Sequence, residues 1–208
     1  ATIKRMIAEG YLGEPVSVEV VDRQGFPDGR PEYHWRNDFE LSGFNTMSLG
    51  IWYEAIMRWL GVVTSVQASG RIVRPMLERD GDVYVTRIFD HLDLFGEMAC
   101  GAQLRMSLSA VTGPPERHFT VHGTEGSLRY DGNTLMGCKA GDEQFASLDV
   151  PEHEHGGWRV EEEFVGAIRG EEEVVLTRFE DGLRYMEFVE ATVRAAQSGE
   201  RVELPMMD

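Results

Sequence analysis

Between residues 65 and 150, apolar and polar residues alternate with a period of two, in short runs that end at turn residues. This pattern is typical of half-buried β-strands, because successive side chains of a strand point to opposite faces of the sheet. Short links such as Cys100-Gly101, Gly123–Gly126 and Asp131-Gly132-Asn133 favour antiparallel pairing of neighbouring strands. The predicted strands are Val66–Arg74, His91–Ala99, Ala102–Ala110, His118–His122, Ser127–Tyr130, Thr134–Lys139 and Phe145–Val150.

Helical patterns flank this region on both sides. They lie at Asn45–Leu60, Trp158–Arg169 and Thr177–Ser198. The first is apolar on nearly every side, so we expect it to be buried on most of its surface, with Asn45 as its N-cap. Thr177 and Glu180 have the spacing of a capping box at the start of the last helix. Together with a strand at Val16–Asp22, these patterns predict fold class α+β, with a large, open, mostly antiparallel sheet and helices on one face.

The composition limits the partners of the chain. Its 208 residues carry a formal net charge of −16, which argues against nucleic acid and against an anionic membrane surface. No apolar stretch approaches the roughly 20 residues that span a bilayer, and no cationic segment followed by an apolar one marks a signal peptide. Two cysteines, Cys100 and Cys138, are too few for a disulfide framework and are typical of a reducing compartment. We therefore expect a cytoplasmic protein.

Several motifs that bind cofactors or metals are absent from the sequence. There is no G-x-G-x-x-G after a strand and no G-x-x-x-x-G-K-[ST], so no residue of this chain is predicted to bind a nucleotide cofactor. His153-Glu-His155 lacks a third ligand nearby, and an exposed linker is the favoured interpretation, so no metal site is predicted. Residues 1–9 form barely two helical turns before Gly10, which is marginal for an isolated helix. We expect the chain to be part of a longer polypeptide.

Segment 25–43 holds the strongest candidate for a binding site. It contains five Gly or Pro residues and is predicted to be a long loop, and loops of that length are usually functional or mobile. Within it, the cluster of His34, Trp35, Arg36 and Asn37 could bind an anionic or hydroxylated ligand, while packing alone is the alternative.

Two other charged groups have both a structural and a catalytic interpretation. His91 lies between Asp90 and Asp93, where a strand-edge hydrogen bond or plain surface chemistry is favoured over a general base. Glu54 and Arg58 are four residues apart on the first long helix, and a structural ion pair is the favoured interpretation.

Four segments of the sequence carry a resemblance to a known family. They are a helix, Gly turn and strand at residues 3–18, a helix at residues 42–61, a Gly-Thr-x-Gly turn within residues 121–128 and a closing helix at residues 179–202. In this order they resemble the C-terminal domain of the Gfo/Idh/MocA oxidoreductases, in which the second segment has the pattern G-G-G-x-x-x-D-x-G-x-H.

The resemblance implies that the chain is the single C-terminal domain, residues 1–208, of a two-domain oxidoreductase that acts on a sugar, a polyol or a related hydroxy compound. Its cofactor, NAD or NADP, is then bound by an N-terminal Rossmann domain that lies outside this chain and carries the family's usual lysine. The C-terminal domain of the family supplies one wall of the substrate pocket and commonly the oligomer interface.

The helix pattern departs from the family at two positions. The family carries Asp and His at positions i and i+4, where the His exchanges a proton with the substrate hydroxyl. In this sequence the two positions are Ser48 and Trp52. Tryptophan cannot accept that proton because its indole N–H only donates, and serine alone is a poor base. Either another residue transfers the proton, or the substrate differs, or the protein is not catalytic.

The candidate site residues follow from the loop and from this helix. The candidates for proton transfer are His34, Tyr53 and Glu54. The candidates for binding a small-molecule substrate are Arg36, Asn37, Asn45, Ser48 and Trp52.

Two hypotheses from different classes remain open. In the first, the chain is the substrate-binding and oligomerisation domain of an NAD(P)-dependent oxidoreductase with an altered pocket. In the second, it is a non-catalytic ligand-binding or assembly module with the same fold. In both, the uncovered face of the sheet leaves strands such as Ala102–Ala110 and Thr134–Lys139 half-exposed, so we expect a homodimer or a higher oligomer through that face.

Overall fold

The structure is a computed structural model and describes residues 1–26, 32–155, 157, 159–176 and 178–206. The helices are α1 (Thr2–Ala8), α2 (Phe39–Ser42), α3 (Leu49–Leu60), α4 (Val160–Arg169) and α5 (Phe179–Ser198). The strands are β1 (Pro15–Arg23), β2 (Val63–Arg71), β3 (Met76–Arg79), β4 (Asp82–Val85), β5 (His91–Met98), β6 (Gln103–Ser109), β7 (Glu116–Gly123), β8 (Gly126–Tyr130), β9 (Leu135–Lys139), β10 (Ala146–Ser147) and β11 (Val202–Glu203). Single 3-10 turns lie at Trp35–Asn37 and Glu152–Glu154.

Nine of the strands form one open sheet in the order β10-β9-β8-β7-β1-β6-β5-β2-β11, and β3 and β4 form a separate hairpin. Among the strand pairs of the described residues, β1 and β6 run parallel and all other neighbours run antiparallel. The prediction of an α+β fold with a large, open, mostly antiparallel sheet is confirmed.

The core lies between one face of this sheet and helices α3 and α5. The central strands present fully buried apolar side chains to it, for example Val20 of β1, Met106 of β6 and Phe119 of β7. Helix α5 packs against β2 and α3, and its Phe188 stacks on Tyr53 of α3 with ring centroids 3.8 Å apart. Burying two aromatic rings in this way stabilises the fold and fixes the position of α3 over the sheet.

The opposite face of the sheet is more polar than the sequence analysis assumed. On β6 the exposed side chains are Gln103 and Arg105, and Arg105 forms an ion pair with Glu19 of β1 at 3.2 Å. Phe95 of β5 is the large apolar side chain of this region that stays mostly exposed. Leu104, Met106 and Leu108 of β6 all face the helices. The prediction of an oligomer assumed that Ala102–Ala110 exposes apolar side chains on the other face of the sheet, and β6 does not expose them.

The start of α3 differs from the prediction. The helix begins at Leu49 rather than just after Asn45, and Ser48 occupies its N-cap position, so the prediction that Asn45 caps this helix is wrong. The physical reason lies in the backbone of Met47, whose φ of 49° is left-handed and cannot continue a right-handed helix. The prediction of a helix buried on most sides holds except at Ile51, which is 71% exposed.

Three other expectations need correction or fall outside the described residues. The hairpin of β3 and β4 was not predicted, because no strand was expected at Met76–Arg79, and the strand expected to reach Arg74 ends at Arg71. The loop at 25–43 contains a 3-10 turn and the short helix α2. The capping box involves Thr177, which lies outside the described residues.

Helix α1 is held to the turn at Glu152–Glu154 by one carboxylate. Thr2 Oγ1 and Arg5 Nε each donate a hydrogen bond of 2.6 Å to Glu154. These bonds stabilise the charged form, the arginine more than the threonine, and lower the pKa of Glu154 from its usual 4.5 to about 2.

We therefore expect an acid-sensitive contribution to stability from Glu154. Because the pKa is lower in the folded state than in the unfolded state, this contribution is complete above about pH 4.5 and is lost as the pH falls toward about 2. Urea unfolding of wild type and Glu154→Gln should give a stability difference above pH 5 that shrinks to nothing near pH 2. Glu152→Gln, an exposed neighbour in the same turn, should behave as wild type. A difference for Glu154→Gln that does not depend on pH would contradict this assignment.

Candidate functional site

A cavity of about 390 Å³ opens at the edge of the sheet where β1 and β6 end. Since these two strands run parallel, their carboxyl ends lie side by side. The residues that follow them, including Gln24 and Val111, line the cavity. Strand β5 runs antiparallel to β6, so the residue before its start, Asp90, lies at the same edge. The loop that precedes α3 and the turn at 34–37 close the other sides.

The cavity brings together five of the eight candidate residues. They are His34, Arg36, Asn37, Asn45 and Ser48. Their side chains are polar, and Gln24 and Thr86 add a further amide and a hydroxyl to the wall. Amide, hydroxyl and guanidinium groups that converge in one concave site are suited to a ligand with several hydroxyl groups.

Asp22 lies behind the cavity wall. It connects Trp52, which does not line the cavity, to Ser48, which does. Its carboxylate is 2% exposed, and its Oδ2 accepts hydrogen bonds from Ser48 Oγ at 2.7 Å and from Trp52 Nε1 at 2.9 Å. Arg117, which lines the cavity, donates from Nε to Oδ1 at 3.3 Å. Ser48 and Trp52 meet the same carboxylate because they lie four residues apart on α3. A buried carboxylate needs such donors to offset the loss of hydration.

Asp22 and Arg117 were not predicted as site residues, although the sequence contains a signal for Asp22. Along β1, Val18 and Val20 are buried, and the period of two places Asp22 on the same face. A carboxylate at a core-facing position of a strand is rarely buried unless it is paired, so it marks a site that has partners. Arg117 is the cross-strand partner of Asp22 on β7, which depends on a pairing that the sequence does not specify.

A further arginine and a second carboxylate have different roles in the cavity. Asp90 uses its carboxylate to accept backbone N–H bonds from Val73 at 2.7 Å and Arg74 at 2.8 Å, which fixes the chain after β2. Arg74 lines the cavity, and its Nη1 is buried with no hydrogen-bond partner. His91, which follows Asp90, contacts Asp93 at 3.2 Å, in agreement with the expected strand-edge contact.

His34 lies at the cavity with one ring nitrogen already in use. Its Nδ1 accepts a hydrogen bond of 3.2 Å from the backbone N–H of Arg36. In the neutral ring the proton is then on Nε2, so His34 offers a donor rather than a base to a ligand. This geometry favours a binding role for His34 over the proton transfer considered in the sequence analysis.

Tyr53 and Glu54 do not line the cavity. The Tyr53 hydroxyl accepts a hydrogen bond of 3.0 Å from the Val63 backbone N–H, and burial raises the pKa of Tyr53. Glu54 Oε1 accepts a bond of 2.6 Å from Arg58, so the ion pair expected from their spacing is present. Arg58 also contacts the Leu176 carbonyl, which ties α3 to the segment before α5.

The described residues show neither a Gly-rich turn between a strand and α3 nor a cluster of metal ligands. Helix α3, whose start borders the cavity, follows a loop rather than a strand and lacks the Gly-rich turn that cradles a pyrophosphate. No group of three or more His, Cys, Asp or Glu side chains within the described part of the chain could hold a metal ion.

Comparison with known families identifies the fold. The sequence model of the GFO/IDH/MocA C-terminal domain matches residues 1–129, more than half of the chain. The chain belongs to this family. The resemblance to this family is thereby confirmed, and three of the four segments lie within the matched residues. The similarity of fold to solved structures covers the whole chain. No curated protein sequence gave a match.

Solved structures show the same architecture at low sequence identity. An NAD-binding oxidoreductase from Klebsiella pneumoniae has a TM-score of 0.82 and 21% identity, with 100% of this chain and 63% of that chain covered. A levoglucosan dehydrogenase in complex with NADH has a TM-score of 0.81 and 19% identity, covering 99% and 62%. The WlbA dehydrogenase from Bordetella pertussis, in complex with NADH and UDP-GlcNAcA, has a TM-score of 0.71 and 21% identity, covering 99% and 59%.

The chain thus spans less than two thirds of the length of these similar proteins. Within the described residues, no helix is both long enough and apolar enough to cross a bilayer.

Proposed function

We propose that this chain, residues 1–208, is the single substrate-binding domain of an NAD(P)-dependent oxidoreductase that acts on a sugar, a polyol or a related hydroxy compound. NAD or NADP is bound by a Rossmann domain outside this chain. Membership of the family supports the reaction class, and two structures with the same fold contain NADH. One of these proteins is also known in complex with levoglucosan, a compound with several hydroxyl groups. The two free thiols are in keeping with a cytoplasmic protein.

The observation that carries the proposal is the convergence of Ser48, Trp52 and Arg117 on the buried Asp22 at the wall of a polar cavity. Ser48 and Trp52 are the residues that the family resemblance aligns with its Asp and His. In this chain the carboxylate that contacts both positions comes from β1 rather than from α3.

In the proposed mechanism, Ser48 and Asp22 handle the substrate hydroxyl. Ser48 donates its own hydrogen to Asp22 Oδ2 at 2.7 Å, which leaves its oxygen lone pairs free to accept the substrate O–H. NAD(P)+, when bound, would accept the hydride from the alcohol carbon. The hydroxyl proton of the substrate moves to Ser48 Oγ while the Ser48 proton moves to Asp22. Trp52 and Arg117 hold the carboxylate in position by their hydrogen bonds. His34, Asn37 and Asn45 bind other hydroxyl groups of the substrate.

The test is turnover by the whole protein, followed at the nicotinamide absorbance band with NAD or NADP and a panel of aldoses and polyols. Reduction of the cofactor by at least one compound is expected. Absence of turnover together with absence of cofactor binding would contradict the proposed function.

A second function is favoured by the hydrogen bonding of Asp22 itself. Its two oxygens already accept bonds from three side chains, and neither Ser48 nor Trp52 has a basic nitrogen. These features suit a module that binds a sugar without reacting with it. Calorimetric titration of this chain with the same panel separates the two functions, because binding without turnover in the whole protein supports the module and rules out the enzyme.

We also propose that the chain self-associates through the open face of the sheet, as a homodimer or a higher oligomer. The alternation of charge on this face, with Glu19 beside Arg105, suits an interface made of polar contacts across a two-fold axis. Multi-angle light scattering should give twice the chain mass or more at micromolar concentration. A Phe95→Glu substitution at the exposed phenylalanine should lower the oligomer mass, whereas Phe179→Glu, which is exposed at the start of α5, should not. A monomer in the wild type would exclude this interface.

A further inference from the structure

The cavity concentrates positive charge in a strongly acidic chain. The whole sequence has a net charge of −16, yet three arginines line this one site: Arg36, Arg74 and Arg117. Asp90 is the carboxylate in the lining, and Asp22 lies behind it. Three arginines against two carboxylates leave one positive charge that these residues do not balance.

The two carboxylates do not neutralise Arg36 or Arg74. Asp22 accepts from Arg117, and Asp90 accepts from backbone N–H groups on Val73 and Arg74. Within the described residues, neither Arg36 nor the Arg74 side chain forms an ion pair, although Arg36 rests on the ring of Trp35 at 4.5 Å. Among the residues that the structure describes, no carboxylate therefore offsets the charge of either guanidinium group.

Arg74 gives a second, independent indication that the cavity binds an anion. Its Nη1 is buried without a hydrogen-bond partner, which is costly for a charged donor. An anionic ligand in the cavity would supply the missing acceptor, and the planar guanidinium fork matches the two oxygens of a carboxylate.

We propose that the substrate of this site is a sugar acid, a hydroxylated compound with one carboxylate that is bound by Arg74 and Arg36. The inference rests on the proposed function and narrows its substrate class. The single unbalanced charge favours a monoanionic carboxylate over a doubly charged phosphate. The carboxylate end binds the two arginines, and a hydroxyl group reaches Ser48, which lines the same cavity.

The test is calorimetric titration of the whole protein that contains this chain, with matched pairs of ligands. Glucuronate and glucose, and galacturonate and galactose, differ only at the carboxylate, and glucose 6-phosphate supplies the doubly charged alternative. At least one sugar acid should bind about 10- to 100-fold more tightly than its neutral partner, the range expected for a charge-assisted pair, and the preference should weaken with added salt.

Two variants and a control assign the effect to the cavity. Arg74→Gln and Arg36→Gln should each remove most of the preference for the acid, measured as the ratio of the affinities for the sugar acid and its neutral partner. Arg194→Gln, which removes an exposed arginine paired with Glu190 on α5, should keep the preference. Arg74→Gln should also keep the midpoint of thermal unfolding, because Nη1 has no acceptor to lose.

The possible failures are distinguishable. Equal affinity for acid and neutral sugar contradicts this inference and leaves the proposed function intact. Tighter binding of glucose 6-phosphate than of the acids overturns the assignment to a carboxylate. Binding of none of the five ligands, with no turnover of them by the whole protein, contradicts the inference and counts against the proposed function as well.

Discussion

An Asp22→Ala variant is expected to lose about 2–4 kcal/mol of unfolding free energy, because it leaves two donors on α3 without their acceptor. Ser48 Oγ and Trp52 Nε1 are both partly buried and both donate to this carboxylate. Arg117 contributes less to the loss, since its side chain is 57% exposed and regains water. Chemical denaturation measures the loss directly.

The same residue is expected to decide activity if the proposed mechanism is correct. Asp22→Asn keeps the size of the side chain but removes the proton acceptor, so turnover should fall by about 100-fold or more. Asp149→Ala, at an exposed position, should stay within about 0.5 kcal/mol of wild type and keep its activity. Normal stability of Asp22→Ala would show that the hydrogen-bond network does not hold α3, and full activity of Asp22→Asn would remove Asp22 from the reaction.

A Gly123→Ala variant is the second large expected effect, with a loss of about 1–3 kcal/mol from overpacking. Gly123 ends β7 where the turn before β1 passes over it. A Cβ at this position would lie 2.8 Å from Leu12 Cβ and would overlap the Leu12 carbonyl oxygen, which accepts a hydrogen bond from Glu125 N–H. Leu12 is 1% exposed and cannot move aside without disturbing the core.

The control for this variant is a glycine in a helix with room for a methyl group. Gly182 lies in α5, and the nearest atoms to its Cβ position are 3.8–3.9 Å away, so Gly182→Ala should gain up to about 1 kcal/mol from helix propensity. Thermal and urea unfolding of both variants give the comparison. Equal stability of Gly123→Ala and wild type would contradict the close contact between β7 and the α1–β1 turn.

The sheet could be predicted from the sequence because its information is local. Alternation along a strand such as β5 reports one buried and one exposed face, and short links such as Cys100-Gly101 report antiparallel neighbours. The parallel pairing of β1 with β6 was not predictable in this way. About eighty residues separate the two strands, and no local sequence pattern identifies which strand pairs with β1. The cavity depends on that pairing, so its position was not predictable either.

The first residue of α3 was predicted incorrectly for a local reason. Asn45 is a good N-cap residue by type, but left-handed backbone at Met47 delays the helix to Leu49, and apolar periodicity does not report a single dihedral angle. The side chain of Ser48, at the N-cap position, bonds to Asp22 instead of capping the helix.

The candidate site was predicted in part for a similar reason. His34, Arg36 and Asn37 are adjacent in sequence, so a Gly- and Pro-rich segment with polar groups was sufficient to find them. Asp22 and Arg117 come from strands that are distant in the chain and meet only through the register of β1 with β7. Tyr53 was selected because it adjoins Trp52, but successive residues on a helix point in different directions, and Tyr53 is buried against Phe188.

The most direct test of the central account, that a hydroxylated ligand binds beside the Asp22 carboxylate, is the indole N–H signal of Trp52 in a two-dimensional ¹H–¹⁵N spectrum of this chain. The signal is assigned by its loss in Trp52→Phe. We expect it to shift in a saturable way as a sugar or sugar acid is added, because Trp52 Nε1 donates to the same carboxylate oxygen as Ser48. The signal of Trp59, which packs on Phe119 in the core, should stay in place. A ligand that binds while the Trp52 signal stays unchanged would contradict the account.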